Sequence, residues 1–423
     1  SGSSNSAFGS GSGNVVEGSG NTASGTGAGN GVAGDLNTAS GSLSGNVVVG
    51  SGNSASGTGS GNGIVGSGNS HSGTGSGNGI FGDANSASGT ASGNLVAGDA
   101  NSASGTASGN GVLGDANNAF GTASGNLVEG DGNTANGTGA GNDVEGNFNY
   151  GAGFAAANGV IGDDNVGIGT FAGSGVNGFR NTAFGYNAGQ NVFANDTISV
   201  GSGANASANS ATAIGNGATA QGIDSIAVGT GSYAAGPNDS AFGAGASVFA
   251  DNGTAVGAGA SVAGPGHTYS SAFGAGAQTT TNNEIVWGTS QETYTAPGIT
   301  SGKSRDRQTD GPLEVVTSDQ SGHLATDGGE IFERLDESEA GIAMAISMEN
   351  PDLIAGERFG IALNAGFYEG AEAMSVSAQG VMGYNVFTPG DRFTVSGGVG
   401  VGFENGRGDQ VVGGRIGAQL TFK

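Results

Sequence analysis

The chain has 423 residues, 93 of them glycine, with no cysteine and a formal net charge of -25. No Lys or Arg precedes Arg180, so there is no electrostatic footprint for nucleic acid, and no apolar run nears the roughly 18 residues of a transmembrane helix. The glycines follow no Gly-X-Y period, which excludes collagen and leaves disorder or a repeat; with no cysteine, the chain does not rely on disulfides.

Residues 13 to about 165 repeat with a period of 16, on the pattern G-N-x-V-x-G-[DS]-x-N-[ST]-A-S-G-T-x-[AS]. One Asn column runs from Asn14 to Asn158 and a second from Asn21 to Asn165, beside a β-branched column that begins Val16, Val32, Val48, Ile64. A fixed period with fixed columns predicts stacked coils, an in-register parallel β-solenoid. Each unit supplies two short strands, N-x-V-x-G and N-[ST]-A-S-G, with glycine at the corners. Alternation places Val16 and Ala23, with their column mates, inside a thin core. The Asn columns are expected to stack amide on amide and to satisfy buried backbone groups.

The position after the valine reads Glu17, Ala33, Val49, Val65, Phe81, Ala97, Leu113, Glu129, Glu145, Ile161. Apolar residues on an outward face need a partner, so Val49, Val65, Phe81, Leu113 and Ile161 are expected to face other subunits. The Glu residues of the same column would repel one another around a shared axis. The opposite outward face is hydroxylic: Thr22, Ser24, Thr26, then Ser54, Ser56, Thr58, then Ser86, Ser88, Thr90, then Ser102, Ser104, Thr106. Coils about 4.8 Å apart would make it a flat grid, which is the candidate ligand face. An adhesive or ice-lattice surface and a merely solvated face are both open readings.

From about Asn181 the period shortens to 14, with the motif x-A-[IVF]-G at TAIG (212–215), IAVG (226–229), SAFG (240–243) and TAVG (254–257). Expected inward pairs are Ile226/Val228, Ser240/Phe242 and Thr254/Val256 on the first strand, and Ala218/Ala220, Ala246/Val248 and Ala260/Val262 on the second. This segment resembles the YadA-like head repeat, a left-handed parallel β-roll in that family. The 16-residue section resembles longer coils of the same roll. Together roughly nineteen coils make an expected head about 90 Å long.

Residues 289–329 break the period and resemble the connector that follows such heads. Lys303, Arg305 and Arg307 sit there, either meeting acidic groups of neighbouring chains or simply solvated. Glu330 to Asn350 reads as a helix ended by Pro351. Ile331, Leu335, Ser338, Ile342 and Ala345 follow a 4-3-4-3 spacing, a coiled-coil seam, and Ala340, Gly341, Ala343 and Ser347 suit close packing. Four strands follow, at 358–368, 373–387, 393–403 and 410–423, with Phe359, Ile361, Leu363 and Phe367 on one parity. Such segments match outer-membrane strands, but the smallest barrels use about eight. An open sheet in lipid leaves unpaired edges that cost several kcal/mol per group, so several chains would share one barrel; a soluble meander is the alternative.

A helix followed by four terminal strands, EAGIAMAISMENP then RFGIALNAGFYEG, resembles the membrane anchor of trimeric autotransporter adhesins, the type Vc secretion family. That family usually ends on an aromatic residue, whereas here Lys423 follows Phe422. The resemblance implies an all-β homotrimer in which three chains build a twelve-stranded outer-membrane barrel with three helices in its pore. It also implies outer-membrane lipid, the barrel-assembly machinery and a surface or extracellular-matrix ligand as partners. The resulting expectation is a head of long coils at 1–180 and short coils at 181–288, a connector at 289–329, a short coiled coil at 330–351 and an anchor at 352–423. The chain begins inside a Ser/Gly tract without a signal peptide and reads as mature or truncated, so export is inferred from the anchor and a lost N-terminal tip is an open reading. A spacer or coat filament carrying that tip is the alternative to an adhesin.

No catalytic constellation, phosphate loop or nucleophile elbow is legible, and neither enzyme activity nor a cofactor is expected. His71 replaces the repeat alanine in one coil. The Asp column (Asp35, Asp83, Asp99, Asp115, Asp131) resembles that of calcium β-rolls without their nonapeptide, and Arg407-Gly408-Asp409 spells an integrin-type tripeptide in the last turn. Calcium and integrin binding are open readings beside structural ones.

Overall fold

A computed structural model describes residues 2–310, 313–403 and 410–422. The chain divides into two compact units, Ser1–Thr293 and Tyr294–Lys423.

The first unit is a solenoid. One long sheet of 19 short parallel strands runs from Ser6–Phe8 to Ile285–Trp287. Across the core from it stand first a 10-stranded sheet of dipeptides, Val16–Glu17 to Val160–Ile161, and later a 5-stranded one, Asn205–Ala206 to Ser261–Val262. Pairing is in register throughout. Thr22, Ala23 and Ser24 face Thr38, Ala39 and Ser40 of the next coil. The step is 16 residues as far as Thr182↔Ile198 and 14 from Ile198↔Thr212 onward, apart from one 17-residue coil at Thr254↔Ser271. Like therefore stacks on like, and each sequence column becomes a physical row.

The core is as thin as the sequence implies. Val32, Val48, Ile64, Ile80 and Val96 come from one side and Ala23, Ala39, Ala55 and Ala87 from the other, all buried. A buried valine contributes about 1.5–3 kcal/mol, whereas ordering a residue costs about 1–2 kcal/mol, so one coil cannot stand alone. Stability accrues by stacking. Close stacking also explains the glycines. Gly66 has φ +145, and a Cβ there would overlap the carbonyl of Gly82 in the next coil.

In the short coils the first-strand pairs do not point inward. Ala227, Ala241 and Ala255 are the fully buried residues, whereas Ile226, Val228, Phe242 and Val256 lie on the outer face. The reason is continuity of register. Ala183 pairs with Ser199, Ser199 with Ala213, and Ala213 with Ala227, so the inward row of the long coils runs on unbroken. A one-residue slip would have flipped every side chain. The second-strand pairs Ala218/Ala220, Ala246/Val248 and Ala260/Val262 are buried as expected.

The second unit opens with a 3-10 turn, Pro297–Thr300, and a one-turn helix, Gly302–Arg305, followed by a short antiparallel pair, Val316–Ser318 with Leu324–Thr326. The helix Glu330–Ser347 follows. The Asp327 carboxylate accepts from the backbone N–H of Ile331 (2.9 Å), Gly329 (3.0 Å) and Val315 (2.8 Å) and so fixes the helix start. Those donors, Ile331 first, hold its pKa below the usual carboxylate value. The helix stops three residues before Asn350, and strand side chains take up carbonyls at and just past its end. Ser375 Oγ donates to Ser347 O (2.6 Å), Asn364 Nδ2 to Glu349 O (3.0 Å), and Ser377 Oγ also to Glu349 O.

The four strands Phe359–Tyr368, Ala371–Tyr384, Arg392–Phe403 and Gln410–Thr421 form an antiparallel meander. Phe359, Ile361, Leu363, Phe367, Met374, Val376 and Val399 are exposed on one face; Ala373, Ser375, Ser377, Gln379 and Thr394 are buried on the other, which carries the helix. Among the described residues no helix is long and apolar enough to cross a membrane. Arg407-Gly408-Asp409 and Lys423 lie outside the described residues.

Candidate adhesive and assembly surfaces of the head

Three ladders hold each coil of the long-coil section to its neighbours. In the first, Asn101 Oδ1 accepts from the backbone N–H of Asn117 (2.9 Å) and from its Nδ2 (3.1 Å), while Asn101 Nδ2 donates to Gly114 O (2.8 Å). This row, from Asn21 to Asn181, is buried. The second Asn row runs the opposite way: the Asn94 N–H donates forward to Asn110 Oδ1 (3.0 Å). The Asp column is the third. Asp99 Oδ1 accepts from the Asp83 N–H (2.7 Å), and Asp115 Oδ1 from the Asp99 N–H (2.7 Å). The Asp carboxylates thus have a structural duty, and the described residues contain no metal-holding group of three acids or histidines.

The ladders fix which side chains look outward. Thr22 and Ser24 flank inward Ala23, and Ser54/Ser56, Ser86/Ser88 and Ser102/Ser104 repeat that geometry along the long sheet. Thr26, Thr58, Thr90 and Thr106 lie two residues past the strand, in the turn, and are exposed. The expected hydroxyl grid is therefore one continuous outer face. Val49, Val65, Phe81, Leu113 and Ile161 lie outward on the dipeptide sheet, stacked in register with Ala97, Glu129 and Glu145. Each of the five is about half exposed, Phe81 the most at 59%.

The parity error concealed a further surface. Val200, Ile214, Val228, Phe242, Val256, Phe273 and Trp287 stack in register on the outer face of the long sheet. Phe242 is 38% exposed and Trp287 58%. This apolar ribbon continues the rows that carry Ser24 and Ser56 in the long coils. The alternation x-A-[IVF]-G held the clue, since an invariant small residue between two variable ones belongs on the crowded side.

His71 takes the inward alanine position between Ala55 and Ala87. It is 1% exposed, with neither ring nitrogen hydrogen-bonded, and burial lowers its pKa to about 4. Asp239, buried in a short coil, accepts from the N–H of Gly236 (2.6 Å) and Gly253 (3.1 Å); burial raises its pKa against the pull of those donors. His71 and Asp239 belong to different coils and form no joint site. Ile331, Leu335 and Ile342 are exposed on the helix side away from Ala340, Ala343 and Ser347.

The YadA head domain repeat matches at residues 194–218, 206–232, 220–246 and 234–260, all with the short-coil motif. The short-coil section is built of YadA-like head repeats. Among solved structures, the collagen-binding domain of the Yersinia adhesin YadA is 19% identical, over 41% of this chain and 83% of that one, with a TM-score of 0.28. None of the curated proteins matches the chain.

Proposed function

We propose that the chain is a homotrimeric adhesin of the bacterial outer membrane, attaching cells to surfaces, host matrix or other cells by binding rather than catalysis. The observation that carries this reading is the C-terminal meander: its outer face is apolar, its inner face is small and polar, and its own helix is seated on that inner face. Its first and last strands have no second neighbour among the described residues. Three copies supply twelve strands, enough to remove every open edge. Ile331, Leu335 and Ile342 are then free to meet the other two helices in the pore. Insertion would pass through the barrel-assembly machinery into outer-membrane lipid.

In the short coils the ribbon of Val228, Phe242 and Val256 is the natural subunit seam, because a stacked apolar row of that length needs cover. In the long coils two faces compete for the role, the hydroxyl grid and the apolar row of Val49, Val65 and Phe81. The test is display of the full chain on a non-adherent outer-membrane host, with attachment scored on collagen-coated and bare abiotic surfaces. Attachment above cells lacking the chain, together with a three-chain mass for detergent-extracted protein, is the expected result. A single-chain mass, or no attachment by cells that display the trimer, overturns it.

A further inference from the structure

The sequence suggests that the apolar row of the dipeptide sheet meets the other subunits and that the hydroxyl grid faces the environment. We infer the reverse: in the long coils the hydroxyl grid of Thr22, Ser24, Ser54 and Ser56 packs against two further copies of this chain, and the row of Val49, Val65 and Phe81 looks outward. The inference rests on the trimer reading and extends the seam proposed for the short coils.

Two independent observations carry it. The first is continuity. The long sheet is unbroken over its 19 strands, and the row of Ser56 leads in register to the row of Val228 and Phe242. If the outer face of this sheet lies on the shared axis in the short coils, the same face approaches that axis in the long ones.

The second is charge. The chain is strongly acidic, with 35 Asp and Glu, yet none stands in the two outward rows of the long sheet's strands, from Ser6 and Phe8 to Ile285 and Trp287. The acidic residues of the head all lie off those rows, among them the Glu129 and Glu145 pair stacked on the dipeptide sheet. A seam through that dipeptide sheet would gather rings of Glu129 and Glu145 from three chains. Arg180 is the sole Lys or Arg in residues 1–302, so nearby cations cannot neutralise such rings. Burying unpaired carboxylates is costly, whereas small hydroxyls bury at little cost once they find partners and allow close backbone approach.

The chain has no cysteine, so single-cysteine variants can be spin-labelled in the full-length, detergent-extracted protein. Ser56→Cys reports the hydroxyl face, with Ser88→Cys as a second probe of it. Val65→Cys reports the dipeptide sheet of the same coil, and Val228→Cys the short-coil seam. Distances between identical labels should be shorter at Ser56 and Ser88 than at Val65 by at least about 10 Å, the face-to-face spacing of packed sheets. Distances shorter at Val65 than at Ser56 and Ser88, with Val228 still short, overturn the inference and leave the trimer standing. Long distances at Val228 overturn the short-coil seam, and a single-chain mass overturns the trimer reading; either takes this inference with it.

Discussion

The ring of His71 lies against the backbone of Gly77, so closely that a Cβ on Gly77 would collide with Nδ1. The coil tolerates an imidazole in an alanine row only because glycine stands opposite. The cost is electrostatic. His71 has a folded pKa of about 4, against 6.5 when unhindered, because burial disfavours the charged ring. A lowered pKa on a base means the unfolded state binds the proton first. Stability is therefore full above about pH 6.5 and falls as the pH drops toward 4, by about 3 kcal/mol in all. The wild-type head should lose that much more than His71→Ala between pH 7 and pH 4 in thermal or denaturant unfolding. Equal losses in the two proteins would refute the assignment.

Asn101 shows what the ladders contribute. Replacing it with alanine strands the buried N–H of Asn117 and the carbonyl of Gly114, which Asn101 now satisfies. Each orphaned group costs about 1–3 kcal/mol, so Asn101→Ala should lose roughly 2–5 kcal/mol. Ser104→Ala, one strand residue from the same coil, should change the isolated head by less than about 0.5 kcal/mol. Hydrogen exchange localised to the coils around Asn101 distinguishes the two; uniform protection in Asn101→Ala would contradict the ladder's role.

Two glycines of one coil separate geometry from mere flexibility. At Gly66 an added Cβ overlaps a backbone carbonyl, whereas at Gly63 (φ +69) the nearest atom, the Gly79 N, is 3.7 Å away. Gly63→Ala should therefore cost only the left-handed backbone penalty, about 1–2 kcal/mol. Gly66→Ala must push coils apart and should cost markedly more, or prevent the head from folding. Circular dichroism melts of the two variants give the comparison, and similar losses would mean that the stacking contact is not what demands glycine.

Much of this was legible because the chain aligns with itself. The Gly66 row is glycine from Gly18 to Gly178, while the Gly63 row also holds Val15, Val47, Leu95 and Leu127. Columns therefore revealed the coils, the inward Val and Ala rows of the long section, and the Asn ladders. Column reading failed at Ile226/Val228 because alternation fixes two faces without naming which is inside. Apolar character pointed the wrong way there: the inner space between the sheets admits little more than alanine, and the larger residues were displaced outward. The hydroxyl rows lie on an outer face of the long sheet, but their continuity with the apolar ribbon exists only in the register of that sheet. The carbonyls at and past the helix end are likewise met by distant groups, Ser375 and Ser377, that no local signal identifies.

The C-terminal meander offers a test that does not depend on the head. On the inner face of the meander, Gly366 and Gly402 form the groove for the helix: a Cβ at Gly366 would overlap the Ala343 carbonyl, and one at Gly402 the Ala340 carbonyl. Gly366→Val should lift the helix from its own strands. Gly397, by contrast, has no neighbour nearer than the Arg415 carbonyl at 3.7 Å, so Gly397→Ala should be tolerated. If three chains share one barrel as proposed, displaced helices no longer fill its pore, and the trimer band on an unheated gel should fall severalfold for Gly366→Val while Gly397→Ala stays near wild type. Unchanged trimer yield in Gly366→Val would show that the strands associate without the helix in that groove.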